Sequence, residues 1–271
     1  MTFTTEDASG RTYAFSYSTD DPNPEHIATK EVVLKNREAL GDYYDEQQFG
    51  LEELTKERER CLDPEREAQM SWWLSDDFHK VAWISCEEKI QPKAATIDAI
   101  NACKAAGVKF FFYWCHKQVD NLTPQLDTYM LIRSLILQAM RQYAEDEDIQ
   151  TDGEDIQAKP QENEPRPFSG VLHENPVSLY KVANILFNIL ENIEGPIICI
   201  ISDIEYLNLF YGQDTEDHID FLRTFFNNLA KLNDPVDKKV RLCIISTLDS
   251  PFEFEPLSDI RTASDWGIKV V

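Results

Sequence analysis

The chain has 271 residues, 42% of them hydrophobic, enough for one sizeable core or one core with appendages. Its 26 Lys and Arg face 49 Asp and Glu, a net charge of −23 with no Lys/Arg-rich run, which argues against a nucleic acid partner. No stretch of 18 apolar residues exists and the N-terminus MTFTTEDASGRTY lacks an apolar signal region, so neither a membrane span nor a leader is expected.

The first 25 residues are polar and rich in Asp, Thr, Ser and Pro, and read as an arm or irregular cap. From 26 to about 70 the pattern suggests helices punctuated by Gly41, Gly50 and Pro64, with Pro64 in the first turn of a helix ending near residues 72–74. The expected division is therefore an N-terminal arm and helical extension over 1–71 and a core domain over 72–271. VAWISC at 81–86 is the first buried strand. Residues 94–106 form a crossover helix closed by Gly107, and VKFFFYW at 108–114 is the second strand. Such near-continuous apolar strands suit a parallel sheet covered on both faces.

A long helix follows from Pro124 to Glu145, with Thr123 as its N-cap. Residues 145–164 carry nine acids and one lysine and read as an exposed loop or solvated insertion. A helix over 178–193 leads to an apolar strand over 196–207 that ends in acids. A helix over 218–232, a strand over 240–247 and a last short strand over 267–271 complete an α/β pattern.

The six cysteines, at 61, 86, 103, 115, 199 and 243, form no C-x-x-C pair and lie largely in apolar runs. They are expected to be reduced and buried, in an intracellular setting, cytoplasmic or nuclear. His116 follows Cys115, but neighbouring strand residues point to opposite faces, which weakens a nucleophile–base reading. His173-Glu174 lacks the second histidine of a zinc hydrolase motif, and His218 beside Asp217 is more simply a helix-start residue. The aromatic run at 110–114 has no basic neighbours suited to nucleic acid stacking, so core packing is the better reading.

In combination, VAWISC, FFFYW followed by LIRSLILQAM, the acidic strand ending at Asp203, and RLCIIST resemble the NACHT-type signal-transduction ATPases common in large fungal proteins. The resemblance spans about residues 72–250. It implies a P-loop NTPase-like, three-layer α/β fold with a parallel sheet in the order 5-1-4-3-2. It also implies a phosphate loop of the form Trp-Ile-Ser-Gly-x-x-Gly-x-Gly-Lys-Ser/Thr after the first strand.

This chain departs from that loop at every functional position. Cys86 falls at the first glycine, Lys89 at the second, Gln91 at the third, Pro92 at the phosphate-binding lysine and Lys93 at the magnesium-holding hydroxyl. No glycine occurs between Cys86 and Ala106. Without glycines, successive N–H groups cannot curl around phosphates free of a Cβ clash, and Pro92 has no N–H to offer. Thr96 supplies only a nearby hydroxyl. Asp203 matches the family's magnesium-side acid, but Tyr206 and Leu207 stand where a second acidic pair is expected, and Leu248 takes the place of an arginine sensor. Glu205 shares a face with Asp203 only if the strand continues that far; otherwise both are polar residues at a strand end.

The expectation is a noncatalytic pseudo-NTPase without a cofactor, acting as an adaptor, scaffold or regulatory subunit. Its partner is expected to be a protein rather than nucleic acid or membrane, and self-assembly stays open. Two alternatives stand beside it. One is a nucleotide-binding switch with weak or absent hydrolysis. The other is an enzyme reusing the strand-end cleft through Cys115, His116, Asp203 and Glu205.

Overall fold

The computed structural model describes residues 2–6, 12–16, 64–75, 81–86, 92–115, 124–148, 177–208, 215–232, 240–248 and 266–270. The expected helices before Pro64, the Thr123 cap, Cys61, Lys89, Gln91, His116, His173 and the acidic stretch from residue 149 onward lie outside these residues.

The main sheet contains β3 (Val81–Ser85), β4 (Lys109–Trp114), β6 (Ile197–Ser202), β7 (Val240–Ser246) and β8 (Trp266–Val270). All neighbours are parallel, in the order β4-β6-β7-β3-β8. Counted along the chain from Val81 and taken from the β8 edge, this is 5-1-4-3-2.

Helices cover both faces, which explains the near-continuous apolar strands. On one face α3 (Pro124–Asp148), α4 (Leu179–Asn192) and α5 (Thr215–Lys231) pack with Val81, Trp83, Phe111, Tyr113, Cys199 and Leu242. On the other, α1 (Pro64–Ser75) and α2 (Pro92–Ala106) pack with Ala82, Ile84, Phe112, Trp114, Ile198 and Cys243. The aromatic run is thus divided by strand alternation between two cores rather than presented as a platform. Phe112 and Trp114 meet edge to face, with ring centroids 5.7 Å apart.

Local chemistry sets the helix ends. Ser178 caps α4 by accepting from the Lys181 N–H at 3.4 Å. Gly107, at φ 65°, ends α2 in a Schellman arrangement: its own N–H reaches the Lys104 carbonyl and the Val108 N–H reaches that of Cys103. This turn leads directly into β4. At the end of α1 the buried Arg241 guanidinium, carried by β7, bonds the Trp73 and Leu74 carbonyls and lies 4.2 Å from the Trp73 ring.

Three expectations change. The N-terminal arm contains a hairpin: β1 (Thr2–Glu6) pairs antiparallel with β2 (Thr12–Ser16), and β2 pairs in parallel with β5 (Val177–Ser178). Thr, Phe and Tyr favour strands, and Phe15 is fully buried against Tyr129 of α3. The crossover helix α2 starts at Pro92 rather than at Ala94, since proline suits the first helical position. Helix α3 runs on to Asp148, three residues beyond the expected Glu145, because Glu propagates a helix readily even where Asp does not.

Candidate functional site

In a parallel sheet covered by helices, ligands bind beyond the carboxyl ends of the strands. Here those ends are Ser85-Cys86 on β3, Ser202-Asp203 on β6, Trp114-Cys115 on β4 and Ser246-Thr247-Leu248 on β7. The elements that the sequence singles out do converge on this end of the sheet, but most of their polar groups are already engaged.

Cys86 is buried, and its N–H donates to the Ser246 carbonyl at 2.8 Å, extending the β3–β7 pairing by one residue. Pro92 is the first residue of α2, and Lys93 follows it in the same turn. The Thr96 hydroxyl, fully buried, donates to the Pro92 carbonyl at 2.8 Å. It is therefore turned back along its own helix.

The acidic strand ends earlier than its apolar pattern suggests. β6 stops at Ser202, Asp203 adopts φ 57°, and Ile204–Asn208 forms a 3-10 turn. The strand expected to reach residue 207 is thus corrected: apolar Ile204 and Leu207 belong to a turn, whose three-residue spacing buries both. Asp is among the few non-glycine residues that tolerate the left-handed region. The Asp203 N–H donates to the Ile245 carbonyl at 2.8 Å, and its carboxylate accepts from the Ser202 hydroxyl at 3.2 Å.

Strand alternation therefore does not relate Asp203 to Glu205. Instead, the Glu205 carboxylate is clasped by the end of β7. It accepts from the Ser246 hydroxyl at 2.7 Å, the Thr247 hydroxyl at 2.6 Å and the Thr247 N–H at 3.2 Å. The Ser246 hydroxyl also accepts from the Leu248 N–H at 3.1 Å.

The positions that would carry the second acidic pair and the arginine are filled with packing groups. Leu207 is fully buried in the core, and Tyr206 and Leu248 pack against it partly exposed. The Leu248 carbonyl further accepts from the Trp83 indole N–H at 3.2 Å. These contacts tie the carboxyl end of β7 to the middle of β3.

Cys115 ends β4, buried, with its N–H donating to the Ser202 carbonyl at 2.9 Å. Burial pushes its thiol well above the usual range, and the charges of Asp127, Asp203 and Glu205 push the same way. Such a thiol stays protonated and makes a poor nucleophile. Beside it, the buried Asp127 carboxylate accepts from the Tyr113 hydroxyl at 3.0 Å. Burial raises its pKa to about 7, the Tyr113 bond opposing. His218 is a core residue: its Nε2 lies 3.0 Å from the Leu207 carbonyl, a contact in which the ring nitrogen donates, and burial lowers its pKa to about 4.

The sequence reading missed the clasp on Glu205 and the buried Asp127. The acid at position 127 was visible as a polar interruption of an apolar helix face, whereas the clasp depends on a turn that apolar spacing concealed. Among the described residues, no group of three or more His, Cys, Asp or Glu is arranged to hold a metal ion. No described helix is long and apolar enough to cross a membrane, and the described cysteines 86, 103, 115, 199 and 243 are free and buried.

No family model matches the chain, and no curated protein does. Among solved structures it is similar to a Walker-type ATPase of Pyrococcus abyssi, at 12% identity and a TM-score of 0.45 over 75% of this chain and 52% of that one. It is also similar to the ORC1 protein of Aeropyrum pernix in complex with DNA, at 12% identity and a TM-score of 0.39 over 76% of this chain and 46% of that one. The chain spans about half the length of each, and at these scores the likeness bears no functional weight.

Proposed function

We propose that this chain is a degenerate P-loop NTPase-like domain of the NACHT type, without catalytic activity, that works through protein contacts as an adaptor, scaffold or regulatory subunit. The observation that carries the reading is the strand end of β6 and β7. Glu205 is clasped by Ser246 and Thr247, while Leu207 and Leu248 occupy the acidic and arginine positions as packing groups. Pro92 at the lysine position and the Thr96 hydroxyl engaged with the Pro92 carbonyl support it further. The core domain runs from about residue 72, and buried free cysteines favour a reducing, intracellular setting.

A ligand present at 100 times its Kd stabilises a folded protein by about 2.7 kcal/mol. For a domain of this size that is a melting shift of several degrees. The reading therefore predicts no nucleotide released on denaturing the purified protein and no shift with millimolar Mg-ATP or Mg-GTP. A shift of several degrees would overturn it.

One observation favours a nucleotide switch as the second reading. Asp203 is only partly buried at a strand end, where a magnesium-side acid would stand. Loss of an Mg-ATP shift in Asp203→Ala would establish that reading.

A further inference from the structure

We propose that the N-terminal hairpin is a displaceable strap seated in a docking socket, and that a partner protein enters this socket as an extended segment carrying an aromatic residue between two small ones. The adaptor reading, on which this rests, thereby acquires a surface and a partner chemistry.

The hairpin stands apart from the main sheet. β1, β2 and β5 form a three-stranded sheet of their own. β1 and β2 pair over five residues, from Thr2 opposite Ser16 to Glu6 opposite Thr12. The ladder that joins β2 to β5 covers two, Phe15 opposite Val177 and Ser16 opposite Ser178. Residues 17–63 separate the hairpin from α1 along the chain. A two-stranded hairpin is marginal in water by itself, so this one depends on what it is seated against.

Phe15 is fully buried in the core that α3, α4 and α5 share. Its ring stands 5.6 Å from that of Tyr129 on α3, tilted by 56°. Ala14 and Ser16 on either side of it are small and buried as well. Tyr129 lies near the start of α3, and Ser178, which pairs with Ser16, also caps α4. The socket therefore sits where two helices begin. Both helices pack on the main sheet, so its walls outlast departure of the strap.

The seated strand shows which occupant fits. β2 is held as a peptide is held by strand addition, through backbone pairing on a short edge and one large anchor in a core pocket. The backbone pairing is indifferent to sequence, whereas the pocket selects an aromatic. A partner segment of the pattern small–aromatic–small, running parallel to β5, makes the same contacts as Ala14-Phe15-Ser16. β2 has the advantage of being tethered, so its return is intramolecular. A partner binds by displacing it, and its apparent affinity falls with the fraction of chains whose strap is closed.

The test uses the full chain and a fluorescein-labelled peptide of residues 10–18, with the same peptide carrying Phe15→Ala as its control. Hydrogen exchange read by mass spectrometry follows the chain, and anisotropy follows the peptide. The amides of residues 2–16 are expected to exchange roughly tenfold or more faster than those of β6 and β7, and excess peptide is expected to speed them further. Phe15→Ala in the chain loosens the strap, and this variant is expected to bind the peptide about tenfold more tightly than the parent. The alanine peptide is expected to do neither. Where the Phe15→Ala chain fails to fold, exchange in the parent with the two peptides still decides.

Exchange of residues 2–16 as slow as that of β6 and β7 would overturn the strap. Equal acceleration by both peptides would overturn the aromatic socket. A parent dimer that grows with concentration and is dissolved by the peptide would replace the chosen partner with a second copy exchanging hairpins. Failure of the strap without any Mg-ATP shift overturns the socket and leaves the noncatalytic reading. Displacement of the strap as expected, together with an Mg-ATP shift, does the reverse.

Discussion

The carboxyl end of β6 and β7 and the outer edge of β4 belong to one sheet, yet they treat their polar groups in opposite ways. At the strand ends, Ser246 and Thr247 satisfy the Glu205 carboxylate, the Trp83 indole N–H donates to the Leu248 carbonyl, and the Leu207 and Leu248 side chains pack into what remains. At the edge, the outward Phe112 peptide pair is bracketed by the Gln138 side chain, beside a cleft that follows β4 from Val108 to Phe112. A buried polar group already bonded within the fold stabilises it and has little left for a ligand. The polar groups at the carboxyl ends of β6 and β7 are thus used to hold the two strand ends together.

The sharpest way to break that contrast is to restore an acid where the ATPase pattern has one. Leu207 is fully buried, so Leu207→Asp places an uncompensated charge in the core. The expected loss is about 3–5 kcal/mol in urea unfolding. A loss below about 1 kcal/mol would mean that position 207 opens onto a solvated cleft.

Asp127, bonded to Tyr113 near the carboxyl end of β4, provides a test in pH. Its folded pKa, about 7, lies above the ordinary 3.8, so the native state holds a proton that the unfolded chain releases. Stability from this group is complete below pH 3.8 and is lost as pH rises towards 7, by about 4 kcal/mol in all. Asp127→Asn keeps an acceptor for the Tyr113 hydroxyl and removes the titration. The variant is expected to match the parent near pH 4 and to exceed it increasingly up to pH 8. His218 works in the opposite direction, since its folded pKa of about 4 makes stability fall as pH drops below 6.5. The pH dependence of Asp127→Asn should therefore retain the rise between pH 4 and 6.5 that Asp127 offsets in the parent. A parallel pair of stability curves would contradict the burial of Asp127.

A smaller effect is expected from Glu205→Ala. It removes three hydrogen bonds to a partly exposed carboxylate and leaves the buried Ser246 hydroxyl short of a partner. The cost is about 2 kcal/mol by urea unfolding, discounted for solvent screening. Residues kept for chemistry commonly gain stability on removal. An increase would return Glu205 to the list of catalytic groups.

Gln138→Ala removes the partner of the buried Phe112 N–H and carbonyl and is expected to cost about 2 kcal/mol by urea unfolding. Its informative effect is on association. Freed of the bracket, β4 offers a longer edge, and sedimentation velocity should show a concentration-dependent rise in self-association. An unchanged sedimentation profile would mean that the bracket does not guard the edge.

Much of the fold was legible because burial on both faces writes itself into the strands as apolar runs. VAWISC, FFFYW, IICIIS and VRLCIIS each appear as strands, at 81–85, 109–114, 197–202 and 240–246. Pro124 marked a helix start through local chemistry alone. The hairpin at 2–16 was not legible, since its partner Val177–Ser178 lies some 160 residues away and no local pattern announces it. The turn after Ser202 was hidden for another reason. Ile204 and Leu207 continue the apolar count of the strand, and only the left-handed Asp203 before them breaks it. At the candidate site, the departures of Pro92, Tyr206, Leu207 and Leu248 from the resembled pattern can be read in the sequence, whereas its closure cannot, because hydrogen bonds between Glu205 and β7 join residues 41 and 42 positions apart.

The central claim is that the strand-end cleft no longer takes a nucleotide. Isothermal calorimetry of ATP and GTP against the purified chain, with and without magnesium and alongside Asp203→Ala, tests it most directly. The account predicts no binding heat for either protein at millimolar ligand. Magnesium-dependent binding that Asp203→Ala abolishes would contradict it and make the chain a nucleotide-responsive switch.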